Sequence, residues 1–193
     1  KDRIVEYINR TYKSFPNLKA EIKIFSIESK LIYSESETVS LEGPSSAGTL
    51  SLAEALDKNP GVSFIVLNLF DKTGRNISHN VYWYSASNDF TSLNSLPETN
   101  ILVNITDSQV KENEKRWNLR ITNSSDRIAF FINPQLVSGD EEITPSFWSA
   151  NYFTLAPGES VNLTLSCPEE KLAGKKPCLV TGGWNIKEKT TEL

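Results

Sequence analysis

Apolar and polar residues alternate along much of this chain with the period of a β-strand, in which successive side chains point to opposite faces. The clearest case sets Leu18, Ala20, Ile22 and Ile24 against Lys19, Glu21 and Lys23, which predicts a half-buried strand. Trp117, Leu119 and Ile121 alternate in the same way with Asn118, Arg120 and Thr122. Residues 62–70 are nearly continuous in apolar side chains, as a central strand covered on both faces would be. Asp71-Lys-Thr-Gly74 makes the hairpin turn that leads into a returning strand at 77–85.

The weaker runs complete the pattern. Ile4, Val5, Tyr7 and Ile8 predict either an edge strand or the tail of one whose start is cut away. Residues 31–33 and 38–41 predict two further strands, the second stopped by Gly43-Pro44. Ser51-Leu-Ala-Glu54 fits a capping box, the serine accepting from the third amide while the glutamate reaches back, and predicts one short helical turn. In the second half Ile101, Val103 and Ile105 are expected to face inward, and the charges at 112–116 read as a solvated turn. Asn123-Ser-Ser-Asp126 turns the chain into a strand at 128–132. An aromatic segment, 147–155, is stopped by Pro157-Gly158, after which Val161, Leu163 and Leu165 alternate with Asn162, Thr164 and Ser166. A last strand covers 178–184, and 187–193 looks frayed.

About seven short strands over roughly 90 residues is the count of an immunoglobulin-like sandwich. Between the halves, residues 87–99 hold the small polar residues and the proline of a boundary, with Phe90, Leu93 and Leu96 as an apolar stripe that lays it against a domain. The expected architecture is therefore all-β, two tandem immunoglobulin-like β-sandwiches: 1–88, an ordered linker at 89–98, and 99–193.

Composition narrows what such a chain does. With 193 residues, 38% apolar and 23% charged, it has the make-up of a soluble globular protein of one or two domains. No apolar run approaches the roughly 20 residues needed to cross a bilayer, so no membrane span is expected. The net charge of −4 is spread along the chain, which leaves no basic field for a nucleic acid. The chain has no initiator methionine and no signal peptide at Lys1, which reads as an internal or processed piece.

Candidate chemistry is sparse. The only histidine, His79, lies in a strand and reads as structural or exposed. A glycosidase needs two carboxyls about 5 to 10 Å apart, one in a protected pocket. Glu35 with Glu37, Glu141-Glu142 and Glu169-Glu170 instead sit in polar, turn-like surroundings, so no catalytic residue is assigned. Cys167 and Cys178 with one distant histidine are too few for a structural zinc site, and no metal or cofactor is expected. In an exported protein those two cysteines could form a disulfide; two unpaired core cysteines is the other reading. Exposed aromatic faces stack on sugar rings, and among Trp83, Trp117, Trp148 and Trp184 packing explains most; carbohydrate contact is assigned to Trp148 or Tyr152. The Asn-x-Ser/Thr triplets at Asn9, Asn76, Asn104, Asn123 and Asn162 compare with about three that composition gives by chance and carry almost no information.

The run Ser146-Phe-Trp-Ser-Ala-Asn-Tyr-Phe-Thr-Leu-Ala-Pro-Gly-Glu159 resembles the FWSDNYFxLxPGE segment of the C-terminal immunoglobulin-like domain in family-two glycoside hydrolases of the exo-β-D-glucosaminidase and β-mannosidase type. Asn9-Arg-Thr-Tyr12 followed by Leu18-Lys-Ala20, and Ser78-His-Asn-Val-Tyr-Trp-Tyr-Ser85 leading into Asp89-Phe-Thr-Ser-Leu93, agree with it in order. The resemblance implies the last two sandwiches of a larger enzyme whose (β/α)8 barrel carries the acid and nucleophile glutamates. The barrel is then the expected partner, carbohydrate a further one, and the periplasm or the extracellular space the expected location. No catalytic glutamate carries over, and the family's aspartate is Ala150 here. A carbohydrate-binding module and a cell-surface adhesion module are the alternatives.

Overall fold

Backbone pairing, more than side-chain alternation, decides where the strands end. The computed structural model describes residues 3–193, and the chain divides into two compact units, Lys1–Leu96 and Pro97–Leu193. Both are antiparallel and two-layered, so the all-β, tandem immunoglobulin-like architecture holds.

In the N-terminal unit β1 (Ile4–Asn9) pairs with β4 (Ser45–Ser51), while β2 (Phe15–Ser26), β3 (Leu31–Leu41), β5 (Ser63–Phe70) and β6 (Asn76–Tyr84) form a sheet in the order β3-β2-β5-β6. The alternation in β2 is real: Leu18, Ala20, Ile22 and Ile24 are buried against Val5, Tyr7, Leu41, Leu52 and Leu56. Two corrections follow from edge pairing. Residues 31–41 make one strand, not two, because the polar stretch Ser34 to Glu37 keeps its ladder with β2 although little of it is buried. Ser45–Ser51, which carries almost no apolar signal, is a strand held by β1. Its Gly48 is an extra residue in that ladder with φ +67°, and a Cβ there would come within 3.0 Å of the Tyr7 ring.

The helical turn α1 (Ala53–Asp57) forms without the expected capping box. Leu52, buried in the core, occupies the cap, Ser51 ends β4, and Glu54 pairs with Lys58 instead of reaching back. The turn at Asp71 closes as expected, with Gly74 N–H donating to the Asp71 carbonyl at 2.9 Å. The Asp71 carboxylate accepts from the Thr73 hydroxyl, from the amides of Thr73 and Arg75, and from the Arg75 guanidinium; the Thr73 hydroxyl is the main cause of a pKa lowered to about 2.

In the C-terminal unit β7 (Leu102–Lys111), β8 (Glu114–Thr122), β11 (Phe147–Trp148) and β13 (Ser160–Pro168) form one sheet in the order β11-β13-β8-β7. Facing it are β9 (Ala129–Ser138), β10 (Glu141–Glu142), β14 (Cys178–Gly182) and β15 (Lys189–Glu192), ordered β10-β9-β14-β15, with β12 (Phe153–Leu155) also on β9. Trp117, Leu119, Ile121, Leu163 and Leu165 meet Ala129, Ile132, Leu136, Leu155 and Leu179 in one core.

Only Glu112-Asn113 turn, both at positive φ, and Glu114 to Arg116 belong to β8; the charged and polar residues along that hairpin hide its ladder from a hydrophobic pattern. Ile101 is buried and Val103 leans on the core, but Ile105 is 37% exposed on the edge strand. The end of the chain is β15, paired with β14 from Lys189 to Glu192, and is not frayed. The two cysteines are free thiols. Cys167 points into the core beside the inward Leu163 and Leu165, whereas Cys178 alternates with the buried Leu179 and Thr181 and so faces the opposite side of its sheet. Burial pushes the Cys167 thiol pKa up.

Candidate functional site: an aromatic cleft on the C-terminal unit

The segment 146–159 is organised by a corner and not a hairpin. β12 pairs with β9 and β13 with β8 and β11, so Pro157-Gly158 carries the chain from one sheet to the other. Gly158, at φ +77°, donates its N–H to the Asn123 carbonyl at 2.9 Å. Asn123 is fully buried, and its side-chain amide donates to the carbonyls of Arg127, Leu155 and Ala156 at 2.6, 3.0 and 3.2 Å. Its Oδ1 accepts from the amide and hydroxyl of Ser125. Both ends of the corner are thereby tied to the loop before β9.

A bulge beside this corner re-aims the aromatics. Phe153 pairs with Ile132 and Leu155 with Ala129, so Phe130 and Phe131 together face the single residue Thr154. Ala129 and Ile132 both stay in the core, and the extra residue is absorbed at Phe131, whose φ is +54°. Phe131 is turned outward, and its ring meets that of Tyr152 at 6.0 Å between centroids. Tyr152 also has a left-handed backbone, φ +52°, and is 59% exposed. Each such conformation costs a non-glycine residue on the order of 1 kcal/mol.

Trp184 completes the set. Its amide donates to the Phe130 carbonyl at 3.0 Å and its ring stands edge-on to Phe130 at 6.3 Å, leaving it 56% exposed. The next residue, Asn185, is buried; it accepts from the Phe130 amide and donates to the carbonyls of Ile128 and Pro97. Gly183 has no room for a side chain, since a Cβ would lie 2.6 Å from Ile186 Cδ1 and 3.0 Å from the Phe130 and Phe131 carbonyls. The outcome is an open cleft of about 290 Å3 lined by Tyr152, Trp184 and Glu188, with Phe131, Asn133 and Gln135 along β9.

The other aromatics named from the sequence lie elsewhere. Trp148 is half-buried against the C-terminal core, Trp117 is 3% exposed within it, and Trp83 is 40% exposed on β6 of the other unit. The sequence offers Trp148 or Tyr152 as alternatives; the bulge turns Phe131 toward Tyr152, and Trp184 lines the same cleft. Of the carboxyl pairs, Glu37 accepts from the Tyr7 hydroxyl at 2.7 Å, Glu35 accepts from Tyr33, and Glu141 and Glu142 are exposed in β10. His79 Nδ1 hydrogen-bonds Asn68 Oδ1 at 2.8 Å. Among the described residues no cluster of three metal-ligating side chains occurs, and no helix is long and apolar enough to cross a membrane.

The sheet order defines a protein of tandem immunoglobulin-like modules. The chain belongs to the exo-β-D-glucosaminidase Ig-fold domain family, whose model matches residues 80–186. A second model, the mannosidase Ig/CBM-like domain, matches residues 5–87. The exo-β-D-glucosaminidase of Arthroderma benhamiae is 28% identical over 98% of this chain, which spans 23% of that relative. The exo-β-D-glucosaminidase of Amycolatopsis orientalis is 26% identical over 98% of this chain and 20% of its own length. The crystal structure of the Amycolatopsis orientalis exo-chitosanase covers the whole chain with 25% of its own, at a TM-score of 0.86 and 23% identity, a likeness of fold. The chain thus spans about a quarter or less of the relatives it matches.

Proposed function

We propose that these two sandwiches are the non-catalytic accessory region of a glycoside hydrolase acting on β-linked glucosaminides, and that they pack on and support its catalytic barrel. The observation that carries this reading is the match of 98% of the chain to exo-β-D-glucosaminidases of which it spans only about a quarter. The mannosidase match at residues 5–87 supports the same architecture with a β-mannoside as the other substrate class. The closed C-terminal core supports a bracing role, because a rigid sandwich transmits contact without rearranging. The resemblance also supports a parent enzyme working in the periplasm or outside the cell.

The test is the reading frame around codon 1 and its deletion product. The reading expects a barrel with two facing glutamates encoded upstream, and a shortened half-life of that barrel at its working temperature once 1–193 is removed. A frame without a barrel, or a deletion product as long-lived as the whole enzyme, would overturn it.

A further inference from the structure

The cleft beside Tyr152 has features that a supporting module does not need. Two of its three rings sit on left-handed backbones, a conformation that persists only where the surroundings hold it and that gathers at ligand sites. Tyr152 and Trp184 are both more than half exposed, and both line the same cleft. Gly182 and Gly183 also line it, Gly183 packed against Ile186 and the Phe130 and Phe131 carbonyls and Gly182 against Glu188.

The polar groups choose the occupant. Asn133 and Gln135 share the outward face of β9 with Phe131, and their amides offer both donors and acceptors to hydroxyls. Glu188 lies over Gly182, its Cγ 3.8 Å from where a Cβ would be, and adds a carboxylate to the lining. Aromatic faces, amides and one carboxylate match a pyranose that carries a cation: C–H groups on the rings, hydroxyls on the amides, an ammonium on Glu188.

We propose that this cleft is a binding site for a cationic amino-pyranose, one residue of a β-linked glucosamine chain, held by Trp184 and Tyr152 and selected over neutral sugars by Glu188. The proposal rests on the glucosaminide reading above for the identity of the amino sugar. It adds a second contact with the polymer, on the accessory region itself.

The test titrates the 193-residue chain with a β-1,4-linked glucosamine tetramer and, separately, with cellotetraose, following tryptophan fluorescence and heat. The glucosamine tetramer is expected to bind, and cellotetraose several-fold more weakly. Trp184→Ala should weaken the glucosamine tetramer by about tenfold, the effect of losing one stacking face. Glu188→Gln should remove the preference for the amino sugar and leave the weaker neutral binding intact, with an unchanged melting curve as the check on folding. No binding by the unsubstituted chain at millimolar sugar, equal affinity for both tetramers, or binding indifferent to Trp184→Ala and Tyr152→Ala alike, would each overturn the site. A reading frame that encodes a barrel would still leave the accessory role standing in those cases.

Discussion

The two units share an architecture and differ in how far their second layer covers the first. In the C-terminal unit one four-stranded sheet faces another of five strands, and the inward residues of β8, β9, β13 and β14 are buried. In the N-terminal unit the described cover over the four-stranded sheet is the pair β1 and β4 with the α1 turn, which adds Leu52 and Leu56. Leu67 and Leu69 are left half-buried beside a groove of about 250 Å3, and their partners on β6, Asn80 and Ser78, are exposed. Alternation in a strand therefore reports the cover above it, and where the cover stops the pattern turns polar.

Substitutions should separate the units in proportion to that cover. The largest effect is expected from Ile121→Ala, which opens a void in the closed core and should cost about 4 kcal/mol, against about 1 kcal/mol for Leu69→Ala, whose site is already partly open to solvent. Denaturant titration followed by hydrogen exchange assigns each loss to its unit; equal costs would erase the distinction.

Buried asparagines come next, and here the units agree. Asn9 donates to the carbonyls of Lys13 and Glu42 and accepts from the Thr11 amide and hydroxyl, as Asn123 does with its own loop and Ser125. Two of the Asn-x-Ser/Thr triplets are thus structural locks in which the third residue holds the amide. Asn123→Ala strands several buried carbonyls and should cost about 3 kcal/mol in equilibrium unfolding, with Asn9→Ala somewhat less because fewer carbonyls depend on it.

A smaller effect of opposite sign is expected at Thr181, fully buried in the C-terminal core, whose hydroxyl has no hydrogen-bond partner. Thr181→Val keeps the shape, removes the stranded group and should raise stability by about 1 kcal/mol in the same titration.

The smallest is a pH effect on the β5–β6 hairpin. Asp71 has its pKa lowered from 3.8 to about 2 by the Thr73 hydroxyl first and the Thr73 and Arg75 amides after it. A depressed folded-state pKa gives stability that is present above about pH 4 and is lost as pH falls through 2. Amide exchange in the hairpin should quicken across that window, and Asp71→Asn should remove the dependence.

What was legible in the sequence follows the same division. Leu18 to Ile24 and Trp117 to Ile121 announced their strands because one face of each is buried. Ser45–Ser51, the middle of β3 and Lys189–Glu192 did not, because they are edge segments held by backbone hydrogen bonds that carry no side-chain signature. The cleft was half legible. Tyr152 lies in the segment that carries the family resemblance, but nothing in the composition around Phe131 foretells the bulge that turns its ring toward Tyr152. The free thiols of Cys167 and Cys178 follow from strand parity, which becomes readable only once both strands have their registers.

The proposed accessory role has bonds broken outside this chain. The direct measurement is release of aryl alcohol from an aryl β-glucosaminide by the purified 193-residue chain. The account predicts a rate indistinguishable from buffer, and turnover that co-purifies with the folded chain would contradict it.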